Sequence, residues 1–314
     1  MKSLKRLGEF GLIDEIRRWA GSGRNVVIGI GDDAAVVRSS KKLLCFTTDT
    51  IVENVHFTRS AYARDVGWKA MAVNVSDVAA VGGVPHYAVM SLTVPRWANF
   101  RYIKELYAGV LRCARRFKVN LVGGDTVRGR DLSITIGLLG SVASDELVRR
   151  RGARVGDDIF VTGFLGSSLM GKHLRFLPRL SESRFLVKRF RPNAMIDISD
   201  GLLQDLQHIL KESKVGAQIR LDQIPVSVES RKRFKNNDDL ALASACQDGE
   251  DFELLFTVPP RLTSSLEKAW VSHFSTRLSK IGKILSGPGK VLYLRSNRIV
   301  KEPRQLRRHG FRHF

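Results

Sequence analysis

Only three cysteines, Cys45, Cys113 and Cys246, occur in 314 residues. Their odd number and wide separation exclude a disulfide framework and predict reduced thiols in a cytosolic protein. No stretch approaches about 18 uncharged apolar residues, so no membrane-spanning helix is expected. The opening segment, MKSLKRLGEFGLIDEIRRWA, has acids and arginines interrupting every apolar stretch and lacks the continuous apolar core of a secretory signal. A soluble, cytoplasmic chain is expected. Acidic residues are also scarce: 31 Asp and Glu stand against 52 Lys and Arg, giving a formal net charge of +21 and a pI near 10.4. Such a balance first suggests a polyanionic partner, and residues 149–191 concentrate it with eleven basic side chains against three acidic ones. No zinc-finger spacing, basic leucine zipper or RNA-binding aromatic signature accompanies the charge, so a nucleic-acid partner is not expected.

Against that basic background, the placement of the few acids stands out. Five short motifs carry aspartates: GDDAA at Gly31–Ala35, TTDT at Thr47–Thr50, NVSD at Asn74–Asp77, GGDT at Gly123–Thr126 and DISDG at Asp197–Gly201. Four follow an apolar, strand-like run and read as turns, while NVSD sits in an alanine- and valine-rich stretch that reads as helix. Carboxylates gathered at the ends of buried elements repel one another and lose hydration, which shifts their pKa values. Divalent cations relieve both costs, and the Gly, Ser and Thr neighbours let the backbone close around an ion. The pattern predicts a magnesium site assembled from much of the chain.

Strands and helices alternate. A helix is expected over Leu12–Ala20, then strands at Val26–Ile30, Val36–Val37 and Leu43–Thr47, a helix over Asp65–Val81 and a strand at Tyr87–Thr93. A helix near Arg101–Lys118 precedes strands at Val119–Val122 and Leu132–Ser141. The order then restarts with a strand at Ile159–Thr162 and a helix after Gly166. An α/β (α+β) class with two domains, 1–145 and 146–314, follows.

Two nucleotide motifs are near misses. Gly29-Ile-Gly31-Asp-Asp-Ala34 resembles a dinucleotide-binding turn, but Asp32 and Asp33 would repel a bare pyrophosphate there. Gly166-Ser-Ser-Leu-Met-Gly171-Lys172-His173 misses a P-loop because His173 replaces the metal-binding hydroxyl.

Taken together, the segments GIGDDAAVV, TTDTIVENVHF, KAMAVNVSDVAAVGG, LVGGDTVRG, RRRGARVGDD, MIDISDGLLQDL and DGEDFELLFTVP resemble, in order, those of the thiamine-monophosphate kinases. That family belongs with aminoimidazole ribonucleotide synthetase and selenophosphate synthetase. The resemblance implies the two-domain aminoimidazole ribonucleotide synthetase-like fold, with N-terminal sheets forming a barrel in a homodimer, and ATP-dependent conversion of thiamine phosphate to thiamine diphosphate. Matched by motif, it implies magnesium on Asp33, Thr47, Thr48, Asp49, Asp77, Asp125, Asp197 and Asp200. It implies ATP contacts from Tyr107, Gly124, Asp125, Arg150 and Ser199, and substrate contacts from His56, Glu250 and Phe311. The chain departs from the family in running from Arg191-Pro-Asn-Ala-Met195 almost directly into DISDG, where relatives carry a longer helical segment. A selenophosphate synthetase is disfavoured because the first cysteine, Cys45, lies in a strand-like run, not in a glycine-rich segment near the N-terminus.

No general base stands out in the motifs, and the implied chemistry needs none. The second phosphate pKa is about 6, so the attacking oxygen of thiamine phosphate is largely ionised at neutral pH. In-line placement and charge screening are what such a transfer requires.

Overall fold

The computed structural model describes residues 25–39, 43–235, 237–301 and 304–307. The helix expected over Leu12–Ala20, and Phe311, lie outside them.

The first half builds a six-stranded sheet from β1 (Val26–Ile28), β2 (Ala35–Arg38), β3 (Leu43–Val52), β4 (Val84–Val94), β5 (Asn120–Arg128) and β6 (Ser133–Val142), in the order β1-β2-β3-β6-β4-β5. All pairs are antiparallel except β4 and β5, which a helical crossover joins in parallel. Helices α1 (Ala63–Ala80) and α2 (Phe100–Phe117) belong to this half. One face of the sheet, with Cys45, Ile51, Met90, Leu92, Ile134 and Ile136, shares a buried core with residues of both helices. The opposite face exposes Phe46, Tyr87 and Val89, because neighbouring strand residues point to opposite sides.

The second half forms a seven-stranded sheet in the order β13-β12-β9-β11-β7-β10-β8. Its strands are β7 (Asp158–Thr162), β8 (Ala194–Asp197), β9 (Gly216–Arg220), β10 (Leu254–Val258), β11 (Leu278–Leu285), β12 (Val291–Arg295) and β13 (Arg298–Val300). β7, β8 and β10 are buried along their whole length, with separate apolar clusters drawing on their alternate residues. Five helices accompany them: α3 (Leu180–Arg189), α4 (Leu202–Ser213), α5 (Val228–Arg233), α6 (Asp238–Gln247) and α7 (Pro260–His273). The short run after α3 closes without a further helix. Arg191 adopts φ 49°, its N–H bonds the Leu186 carbonyl at 2.9 Å, and its guanidinium meets Asp145 at 3.0 Å.

Three local expectations are corrected. TTDT and GGDT are not turns but lie inside β3 and β5. The segment after Gly166 is not an α-helix; it forms two short 3-10 turns, Ser168–Met170 and Lys172–Leu174, separated by Gly171 at φ 122°, a value no right-handed helix admits.

Helix α1 is buried on nearly every side. It meets α2 by direct backbone approach: a Cβ at Gly67 would lie 2.0 Å from the Leu106 carbonyl oxygen, and one at Gly109 2.0 Å from that of Arg64. Gly109→Ala is expected to push the helices apart and cost about 1–3 kcal/mol of stability. Urea unfolding checks this, and an unchanged midpoint would contradict it.

Candidate active site

Since α1 has little solvent-facing surface, its polar side chains need partners, and they find them in both halves of the chain. Asp77 accepts a short hydrogen bond from the Thr47 hydroxyl of β3. Asn74 accepts the Asp49 N–H at 3.1 Å and donates to the Ala70 carbonyl at 3.0 Å. On the other side, Ser76 donates to Asp197, the last residue of β8, at 2.5 Å. Asp33, from the GDD loop between β1 and β2, closes the group. Asp33, Asp77 and Asp197 each offer a carboxylate oxygen within 4.8 Å of the other two.

This arrangement is electrostatically costly as it stands. Burial holds the Asp77 carboxyl well above the ordinary carboxylate range, and the charges of Asp49, Asp197 and Asp33 push the same way. Burial likewise raises Asp197, with Asp33 adding to it, and raises Asp49. Asp32 is pushed up to about 7 by burial and by the adjacent Asp33 charge; its carboxylate accepts the Asp33 N–H at 2.9 Å and the Arg150 N–H at 3.3 Å. The compensating cation in the group is Arg150, whose guanidinium grips Asp33 through two bonds of 3.1 and 2.9 Å. Buried oxygen donors with one cation among them suit a hard divalent ion.

A second group follows in DISDG and α4. Asp200, Asp205 and His208 bring ligand atoms within 4.8 Å of one another. One Asp205 oxygen accepts the N–H groups of Asp200 and Gly201, both at 3.1 Å, and so fixes the loop that presents Asp200. Burial pushes His208 down to about 4, so it is neutral at physiological pH.

Next to these, Lys69 of α1 bonds Glu250 through both carboxylate oxygens at 2.6 Å and the His56 carbonyl at 2.9 Å. The His56 ring accepts the Val52 N–H at 3.1 Å. Glu250 lies in a left-handed stretch, with φ of 71° at Gly249, 54° at Glu250 and 50° at Phe252. Each non-glycine residue held that way costs of order 1–3 kcal/mol, and such strain gathers at ligand clamps. The loop is tied down by the Ser199 and Ile198 carbonyls at 2.6 and 2.8 Å, and Phe252 stacks on Phe176 at 4.1 Å. Flanking Glu253 takes a bidentate Arg179 bond at 2.6 and 2.7 Å.

The structure therefore brings together Asp33, Thr47, Asp49, Asp77, Asp197 and Arg150, and it places His56, Ser199 and Glu250 around one loop. It does not bring in Thr48, Gly124 or Asp125. Thr48 is exposed on the sheet face opposite its neighbour Thr47. Asp125 is exposed on edge strand β5 and pairs with Ser91 of β4. Following the register from Asp49 through Ile136 and Met90 to Gly124 crosses three strand spacings, roughly 14 Å. Tyr107 packs half-buried against the N-terminal core. The motif reading did not single out Lys69, Asn74, Ser76, Asp205 or His208. The i, i+3 spacing of Asp205 and His208 on one helix face was the available signal for that pair.

Residues 31–142 match the family model described as AIR synthase related protein, N-terminal domain. Thiamine-monophosphate kinase of Aquifex aeolicus is 34% identical over 329 residues, covering 99% of each chain. The enzyme of that name from Escherichia coli K12 is 34% identical over 333 residues, covering 98% of each. A solved structure described as AaThiL complexed with AMPPCP and TMP superposes with a TM-score of 0.85 at 34% identity, covering 100% of this chain and 99% of that one. Full-length identity at this level, carried on the same two-sheet architecture, places the chain in the thiamine-monophosphate kinase family.

Proposed function

We propose that the protein transfers the γ-phosphoryl group of ATP to thiamine phosphate, giving thiamine diphosphate and ADP, the last step in making that coenzyme. The observation that carries this reading is the buried Asp33–Asp77–Asp197 group, joined from both halves of a chain whose relatives bear that activity by name.

Magnesium fits this group because three carboxylates crowd together, and burial and mutual repulsion raise the pKa values of Asp77 and Asp197, so a cation would let them stay ionised side by side. Asp33, Asp77 and Asp197 would hold it, with Thr47 and Asp49 beside them and Asp200 at a separate position. Bound magnesium would screen the charge of two phosphorylated substrates. Arg150 and Ser199 bind the nucleotide in this reading, with Tyr107 and Gly124 as further contacts, while His56, Glu250 and Phe311 bind the acceptor. No residue needs to remove a proton, and the chain's task is placement.

The division into 1–145 and 146–314 is part of the proposal, supported by one sheet ending at Val142 and the next beginning at Asp158. So is a homodimer. Among the described residues, Phe46, Tyr87 and Val89 form an exposed apolar face, Val122 and Val127 are exposed on neighbouring β5, and Thr48 and Asp125 share this side of the sheet. A second copy seated there would cover these apolar side chains and face Thr48 and Asp125. Val89→Glu is then expected to shift the protein from twice the chain mass toward the single-chain mass in light scattering, and a single-chain mass for the unsubstituted protein would contradict the dimer.

An acceptor panel tests the function. Magnesium-dependent ADP release is expected with thiamine phosphate and not with thiamine or selenide. Release with another acceptor only, or a salt-dependent shift of DNA without kinase activity, would replace this reading.

A further inference from the structure

Lys69 is fully buried, and a buried lysine is costly unless paired. Its ammonium has three protons, and three acceptors lie within reach: the two Glu250 oxygens at 2.6 Å and the His56 carbonyl at 2.9 Å. With its donors committed, Lys69 has nothing to offer a substrate directly. Its two partners, however, are residues assigned to the acceptor pocket in the functional reading above, on which this inference rests.

The contacts also set where the Glu250 carboxylate sits. Around it, the loop is tied to the C-terminal half. The Glu250 N–H bonds the Ser199 carbonyl, Ser168 donates to the Gly249 carbonyl at 2.6 Å, and Asp251 accepts the Gly166 N–H at 3.1 Å. The Glu250 side chain crosses instead to α1 in the other half, where Lys69 holds both its oxygens. A bidentate ion pair has no net charge. Glu250 therefore presents little field to a cationic ring, but each oxygen retains lone-pair capacity for an incoming N–H donor.

We propose that Lys69 is the positioning residue of the acceptor pocket, holding Glu250 as a charge-balanced hydrogen-bond acceptor for the amino group of the aminopyrimidine and not as a counter-ion for the thiazolium. Lys69 also ties the His56 backbone to the same point, so that the two proposed substrate contacts move together.

Steady-state kinetics on the full-length enzyme test this, first with wild type and thiamine phosphate, because failure there is failure of the functional reading alone. Lys69→Met, which keeps length and removes the charge, is expected to raise the KM for thiamine phosphate at least about tenfold while the KM for ATP stays within about twofold. Glu250→Gln keeps the shape of the loop and provides a second readout should Lys69→Met fold poorly. Wild type should prefer thiamine phosphate to its 4-oxo analogue, which lacks the amino donor, by at least about tenfold in kcat/KM, and Glu250→Gln should narrow that preference. Equal changes in both KM values, or a wild type that accepts the 4-oxo analogue as well as the amino form, would overturn the proposal.

Discussion

Asp77→Asn is expected to abolish phosphoryl transfer while making the metal-free protein more stable. An acid whose pKa is raised in the folded state stays protonated there at pH values where the unfolded chain has already lost the proton. Its stabilising contribution is complete below the ordinary value of 3.8 and is lost as pH rises toward the folded pKa. As pH rises above that ordinary value, the metal-free native state is destabilised at Asp77, either by holding a proton the unfolded chain has released or by carrying its charge beside Asp49, Asp197 and Asp33. The amide removes one charge and keeps an oxygen for the Thr47 hydroxyl. The Tm without magnesium should rise, its pH dependence should flatten, and the Tm gain on adding magnesium should shrink. Turnover should fall at least about 100-fold, a loss of several kcal/mol of transition-state stabilisation. Near-normal turnover at saturating magnesium, or an undiminished magnesium-induced Tm gain, would contradict this assignment of Asp77.

Arg150→Ala should act in the opposite direction on stability. Arg150 is the cation clasping Asp33, whose side chain is only 1% exposed. Removing one partner of a buried ion pair leaves the other uncompensated, which costs about 3–5 kcal/mol. Here the cost is compounded because Asp33 faces two further carboxylates. For a chain of this size the Tm should drop by on the order of 10 °C. The KM for ATP should also rise at least about tenfold, since a guanidinium suited to a triphosphate is lost. Thermal scans and ATP saturation curves measure both, and a variant with unchanged Tm and KM would remove Arg150 from the site.

The aspartate motifs were legible because acids are scarce in this chain and these sit among Gly, Ser and Thr. The alternation of strand and helix was legible in part: β7 falls where a strand was expected at Ile159–Thr162, because its apolar residues form one short run. What failed was local geometry. TTDT and GGDT carry the small polar residues of turns, yet pairing with β6 and β4 keeps them extended. Once TTDT is a strand, alternation sends Thr47 toward α1 and Thr48 to the opposite face, a split hidden when the motif is read as a loop. Lys69 was invisible for a different reason. In a strongly basic sequence a lysine reads as solvated, and only the crossing of α1 with the Glu250 loop shows it buried.

The most direct test of the central claim is phosphorus NMR of the purified protein incubated with ATP, thiamine phosphate and magnesium. Thiamine diphosphate and ADP are expected to appear in equal amounts with no free phosphate beside them, and chelating the magnesium is expected to stop both signals. ATP hydrolysed to ADP and inorganic phosphate with thiamine phosphate left intact, or transfer that continues undiminished after chelation, would contradict it.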